Sequence, residues 1–332
     1  MKNSLAFFFS LMGVLSFGQP RQTLVTVKKS LKLMGTNFEV TVVAPNEEIG
    51  YINIDVAVSE IQRIERLISS WDEKSETSLI NRNAGIVPVK VSKELYGLIE
   101  RSIGISRITD GAFDITYGPM DKIWKFDGSM KKLPTPEEVK AMVSKIGYRK
   151  IVLDPVKGTV FLPEAGMRIG FGAIGKGYAA DRARELLISK DVMGGIINAS
   201  GDLTTWGTKA TGEKWMVGIS NPLDRDKVFG WLPVIESSVA TSGGYEKYIV
   251  FEDRKYSHIL DPRTGMPTQG PSSVSIFAKQ AELCDALATA VFVMGRDVGL
   301  HMINQLDGVE AVVIDSDNKI HRSTGIIFDA NQ

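Results

Sequence analysis

GFGAIGKGYAADRARELL, residues 170–187, sets four glycines (170, 172, 175 and 177) ahead of a run with helical apolar spacing. The spacing predicts a helix from Gly177 to Ser189. Glycines let backbone N–H groups approach a phosphate closely, and the start of the following helix favours an anion. Lys176 adds a positive charge at the same place. The same glycines would also serve a plain packing role at a strand-to-helix turn. No Ser or Thr follows the lysine, so the segment is not a P-loop.

Outward from this segment, strands and helices alternate. Lys150–Leu153, Thr159–Leu162 and Gly194–Asn198 read as strands around the glycine segment. Upstream, Leu31–Val43 alternates like one strand, and Ile52–Ser69 carries apolar residues at helical spacing. A short helix around Ser78–Arg82, a helix at Glu94–Thr109 closed by Asp110-Gly111, and a Pro-initiated helix at PTPEEVKAMVSKIG follow. Downstream, Trp215–Ser220, Leu232–Glu236, Lys247–Phe251, Ser273–Ala278 and Val309–Asp315 read as strands. Glu282–Met294 reads as a helix with Leu283, Leu287, Val291 and Met294 on one face. The pattern predicts a single α+β or α/β unit of mixed sheets and packed helices, with no repeat or bundle.

Lys plus Arg and Asp plus Glu both number 39 in 332 residues, so nucleic-acid binding by bulk charge is excluded. Lys2, an apolar run from Leu5 to Leu15, and the small residues Ser16 and Gly18 have the layout of a secretory signal peptide over residues 1–18. Residues 19–332 would then form the exported unit, expected in the periplasm. No cysteine follows the apolar run, and the lone Cys284 cannot form an intramolecular disulfide.

Three further segments carry candidate chemistry. In ELCDALATAVFVMG (282–295), Asp285 and Thr289 are one helical turn apart among apolar neighbours. Together they offer two oxygens to a hard cation such as Mg²⁺. They would equally serve as an N-terminal helix charge and a threonine bonded back to its own helix. In YSHILDPRTGMPT (256–268), His258 precedes a DPRTG turn with an acid and an arginine nearby, a setting for a general base. Polar clusters at Asp110 and Asp114, at Asn198, Ser200 and Asp202, and at Thr241 and Ser242 look like loops converging on one ligand.

Taken in order, MGTNFEV, SSWDEKSETSLINRNAG, TDGAFDITYGPM, GAIGKGYAADRA, GGIINASGDL, ATSGGYEKY, SHILDPRTGMPT and CDALATAVFVMG resemble the ApbE-type flavin transferases from about Met34 to Gly295. The resemblance implies Mg²⁺-dependent cleavage of FAD, with FMN placed by a phosphoester bond on a threonine of a target flavoprotein and AMP released. Targets in the family include subunits of sodium-pumping NADH:quinone reductase and of Rnf-type complexes. It implies FAD contacts at Met34, Trp71, Ala112, Phe113, Asp114, Lys176 and Ile259. It implies metal ligands at Asp285, Thr289 and the Ala173 backbone, with His258 as catalytic base. Trp71 stands where many relatives have tyrosine, and Gly170, also at the nucleotide site, stands where many have an acid. A Mg²⁺-dependent FAD pyrophosphatase and a non-enzymatic envelope flavin-binding protein are the alternative readings.

Overall fold

Met34 and Gly35 both adopt positive φ, 50° and 73°, and this splits the expected strand in two. Two successive left-handed residues make a tight hairpin turn that matches strand twist. β1 (Val25–Leu33) therefore folds back on β2 (Thr36–Ala44), with Leu33 opposite Thr36. The computed structural model describes residues 23–221, 224–234, 236–245 and 247–326. The expected 1–18 signal segment lies outside the described residues.

The remaining elements follow in chain order. The first half holds α1 (Glu47–Ile68), α2 (Glu76–Arg82), β3 (Val89–Lys90), α3 (Lys93–Ile108), α4 (Pro136–Val143), β4 (Val152–Asp154) and β5 (Thr159–Phe161). Next come α5 (Gly175–Ile188), β6 (Gly195–Ala199), β7 (Asp202–Trp206), β8 (Trp215–Asn221), β9 (Asp224–Val234) and β10 (Ser238–Gly243). Two small hairpins, β11 (Tyr248–Phe251) with β12 (Arg254–Ser257) and β13 (Leu260–Asp261) with β14 (Met266–Pro267), precede β15 (Ser273–Ala278). The chain closes through α6 (Ala281–Met294), α7 (Arg296–Ile303), β16 (Glu310–Ile314) and β17 (Ile320–Arg322).

Eight strands form the central sheet in the order β1-β2-β6-β7-β10-β15-β16-β17. Every neighbouring pair is antiparallel, so the fold is α+β and not a parallel α/β sheet. α1 packs on β1 and β2, α5 on β6 and β7, and α6 on β10 and β15, in one layer on one face. In α1 that face is Ile54, Ala57, Ile61, Ile64 and Ile68, and Asn46 caps the helix by accepting from the Ile49 N–H at 2.9 Å. The opposite face of the sheet buries Val43, Val239, Phe277 and Val312 against Trp215, Val217 and Val234 of β8 and β9.

α6 differs from the sequence reading in a way that matters for the site. Its expected single apolar face is too narrow: Cys284, Asp285, Ala286, Leu287, Ala288, Ala290 and Val291 are all buried. A helix apolar on all sides belongs in the interior. Among the described residues, no helix is long and apolar enough to cross a membrane.

Candidate active site

The start of α5 meets the start of α6, and glycine makes the contact possible. A Cβ on Gly177 would lie 2.1 Å from the Ala281 carbonyl oxygen, and one on Gly175 would lie 2.7 Å from Ile68 Cδ1. These two glycines serve close packing, the plainer of the two sequence readings. The Gly177 N–H, one of the first-turn donors that α5 itself leaves without a partner, donates to Asp285 Oδ2 at 3.2 Å. A buried carboxylate thus sits at the N-terminus of α5, where the helix dipole favours negative charge.

Asp285 is 3% exposed. Burial pushes its carboxyl well above the usual carboxylate range; Lys176 opposes that rise, Asp202 adds to it, and the Gly177 N–H opposes it. The Lys176 ammonium is bonded to Asp202 and stands 3.5 Å from Asp285 Oδ1. One turn further along α6, the Thr289 hydroxyl lies 3.3 Å from the Ser242 hydroxyl. It does not bond back to its own helix, so the structural alternative for Thr289 is not what forms. Met34, on the β1–β2 turn, reaches the same corner, its Cε 3.7 Å from where a Gly175 Cβ would be.

All three metal-ligand candidates are oxygens: the Asp285 carboxylate, the Thr289 hydroxyl and the Ala173 carbonyl. Among the described residues no three His, Cys, Asp or Glu side chains converge. One carboxylate plus neutral oxygens suits Mg²⁺, which takes few protein ligands and completes its shell with water and substrate phosphate. The donor set fits the ion.

The segment before α5 ties together the other candidate ligand contacts. The Gly170 N–H donates to the Ile115 carbonyl at 2.8 Å, fixing the loop beside Ala112, Phe113 and Asp114. Arg168 donates to the Ser70 carbonyl at 3.4 Å, beside Trp71. Trp71 is 79% exposed, an uncovered ring beside this segment. Phe113 and Ala112 are buried, and the Asp114 carboxylate is spent on the Thr116 N–H and hydroxyl and the Tyr148 N–H. At Gly170 the space is partly filled by a residue the sequence reading did not single out. A Cβ there would lie 3.2 Å from the Tyr117 hydroxyl, and one on Gly172 would lie 2.8 Å from it. Burial raises the Tyr117 phenol to about 12, so it stays protonated.

His258 lies between the two small hairpins and is half-buried. Its Nδ1 is 3.0 Å from the Lys247 carbonyl oxygen, which can only accept. The neutral ring therefore carries its proton on Nδ1 and leaves Nε2 as a base. Phe126 meets the ring edge-on at 6.4 Å. Burial lowers the pKa of His258, the Lys247 carbonyl bond opposes this, and the positive charges of Lys247 and Lys176 lower it further. The acid and arginine near it in sequence do not orient it. Asp261 and Arg263 bond each other through two contacts of 2.9 Å, and the Asp261 carbonyl closes the turn to Gly265. The neighbouring Ile259 is buried, and its carbonyl accepts from the Thr268 N–H and hydroxyl.

Two acids emerge that the sequence reading did not place in the site. Asp202, noted there only in a polar cluster, holds Lys176. Asp181 of α5 accepts from the Glu282 N–H at 2.9 Å and so caps α6 from outside. Its signal in sequence is weak, because the capped helix lies about 100 residues away.

Comparisons with known proteins place the chain as a whole. The ApbE family profile matches residues 34–313. The FAD:protein FMN transferase of Treponema pallidum (strain Nichols) is 32% identical over 282 residues, covering 80% of this chain and 78% of that protein. A Klebsiella pneumoniae (strain 342) protein of the same name is 31% identical over 262 residues, covering 78% and 81%. Among solved structures, the ApbE protein of Thermotoga maritima MSB8 superposes with a TM-score of 0.84 at 32% identity, covering 90% of this chain and 97% of that one. The flavin transferase ApbE of Vibrio cholerae gives 0.79 at 25% identity, covering 91% and 98%. With its matched profile over most of its length and relatives of that family above 30% identity, the chain belongs to the ApbE family.

Proposed function

We propose that this protein is an Mg²⁺-dependent FAD:protein FMN transferase. The observation that carries the reading is the α5–α6 corner: a buried carboxylate one turn from a hydroxyl and beside a lysine. The names of the relatives support the same activity.

Asp285, Thr289 and the Ala173 carbonyl would hold Mg²⁺, which when bound neutralises pyrophosphate charge. Lys176 adds its own positive charge for the phosphates. Met34, Trp71, Gly170, Ile259 and the 112–114 backbone would seat the FAD, with the Trp71 ring free to stack. His258 Nε2 takes the proton of the acceptor threonine as its oxygen bonds the FMN-side phosphorus. The bond from that phosphorus to the bridging oxygen breaks, and AMP leaves with the electron pair. Positioning and charge neutralisation supply most of the rate in such transfers. Residues 1–18 would direct export to the periplasm, and the acceptors would be flavoprotein subunits of the NADH:quinone reductase or Rnf type.

The test is incubation with FAD, Mg²⁺ and a threonine-bearing acceptor domain, followed by intact mass and AMP assay. One FMN on the acceptor threonine with one AMP released is the expected result. AMP and free FMN without acceptor labelling would make the protein a pyrophosphatase. FAD bound and never cleaved would make it a flavin-binding protein.

A further inference from the structure

Lys176 stands between two carboxylates that are each only 3% exposed. It is hydrogen-bonded to Asp202 and makes a second, long ion pair of 3.5 Å with Asp285 Oδ1. Asp202 opens β7, and its Oδ1 accepts from the Thr241 N–H of β10 at 3.3 Å. Its position is therefore set by the sheet. Lys176 is at the first turn of α5, on a flexible stem that reaches both acids. An ammonium bonded directly to Asp285 would occupy the carboxylate and repel a dication arriving there.

We propose that Asp202 is a positioning residue, which holds the Lys176 ammonium off Asp285 and so keeps that carboxylate open to Mg²⁺. The inference rests on the metal reading proposed above. Asp202 does not touch the metal in this scheme; it acts through Lys176. Without its charge, the Asp285 carboxylate 3.5 Å away is an anion on which Lys176 can close.

The experiment is a calorimetric titration of Mg²⁺ alone into the full protein and three variants. Asp202→Asn keeps an oxygen for the Thr241 N–H and removes the charge. It should weaken Mg²⁺ binding by about tenfold or more, the scale of losing a residue that supports a metal ligand from outside. It should also raise the Mg²⁺ concentration needed for half-maximal FAD cleavage more than it lowers the saturated rate. Lys176→Met should bind Mg²⁺ at least as tightly as the unmodified protein. The double variant should bind like Lys176→Met, a coupling that a merely structural role would not produce. Unchanged Mg²⁺ binding in Asp202→Asn overturns the proposal. So does equal weakening with and without Lys176, which would make Asp202 a direct ligand. If Asp202→Asn does not fold, weaker Mg²⁺ binding in Lys176→Met overturns it alone. Absence of Mg²⁺ binding in the unmodified protein would instead sink the metal reading beneath it.

Discussion

Asp285 stands on a helix buried on nearly every side, held by the Gly177 N–H and faced by Lys176, whereas His258 stands between two-stranded hairpins and is partly exposed. The charge-bearing half of the site is built into the main core of α5, α6 and the central sheet. The proton-bearing half rests on the smaller cluster of Met120, Trp124, Ile146 and Ile249, against which Tyr256 and Leu260 pack. The difference follows from what each half must meet. Fixed charges act most strongly where water is excluded and nothing reorganises. A base for a hydroxyl on another protein has to stand where that protein can reach it.

The sharpest way to break this contrast is Asp285→Asn. The substitution removes the one charged ligand of the proposed metal site but leaves an oxygen for the Gly177 N–H. A metal supplies several kcal/mol of transition-state stabilisation, so kcat/KM for FAD cleavage should fall by about 10²–10⁴. Stability should not fall with it. The Asp285 carboxyl is raised in the folded protein, so its contribution is present at low pH and lost as pH rises. At pH 8 the variant should melt at the same temperature or higher. A large drop in melting temperature would show that Asp285 is structural.

His258→Ala tests the other half. Loss of a general base costs about 10²–10⁴ in rate, and the lower end is expected because Mg²⁺ and Lys176 remain. FAD binding should be nearly unchanged. With the His258 pKa lowered, transfer should rise with pH through a limb below about 6.5, the ordinary value, and be flat above pH 7. Lys247→Gln removes one of the charges that lowers it and keeps the backbone carbonyl that orients the ring. The limb should move to higher pH. A pH profile that does not respond to either substitution would remove His258 from the role of base.

Trp71 belongs to neither half, and its loss should be milder. Stacking on an aromatic ring is worth about 1–3 kcal/mol. Trp71→Ala should therefore weaken FAD binding by about tenfold, with little change in the rate at saturation. Equal loss in kcat would place the ring nearer the reacting phosphorus.

The two halves were unequally legible in the sequence. Asp285 and Thr289 are four residues apart on one helix, and that spacing announces a shared face. Lys176 sits among glycines at a helix start, which is also a local signal. β15 was read with its observed ends because a short alternating run between turn residues is also local. Asp202 and Asp181 act across the sheet and between helices, and no local spacing records such contacts. β7 and β10 were missed because their Thr, Ser and Gly residues read as turns, yet they pair in the middle of the sheet. Asp261 and Arg263 misled for the opposite reason. Neighbours of His258 in sequence, they bond each other, and its partner is a carbonyl eleven residues upstream.

The smallest effect expected concerns how α6 is anchored, and it separates stability from catalysis. Gln280, the N-cap position of α6, makes no side-chain cap, and Asp181 of α5 takes that role. Its other oxygen stands 3.4 Å from the Arg184 guanidinium. Burial raises the Asp181 carboxyl from 3.8 to about 6. A folded-state value above the unfolded one means that the group's stabilisation is complete below about pH 4 and is lost as pH rises through about 6. A shift of roughly two pKa units caps that loss at about 3 kcal/mol. Asp181→Asn keeps an oxygen for the Glu282 N–H and cannot ionise. Arg184 keeps its bonds to the Thr204 hydroxyl at 2.6 Å and the Lys279 carbonyl at 3.1 Å, so any cost of the lost ion pair at high pH is partly offset. The diagnostic is the slope: between pH 4 and 7 the melting temperature of the variant should gain on that of the unmodified protein. Parallel melting curves across that range would mean that Asp181 is held ionised by Arg184. The anchor of α6 would then be a buried ion pair, not a carboxyl burdened by burial.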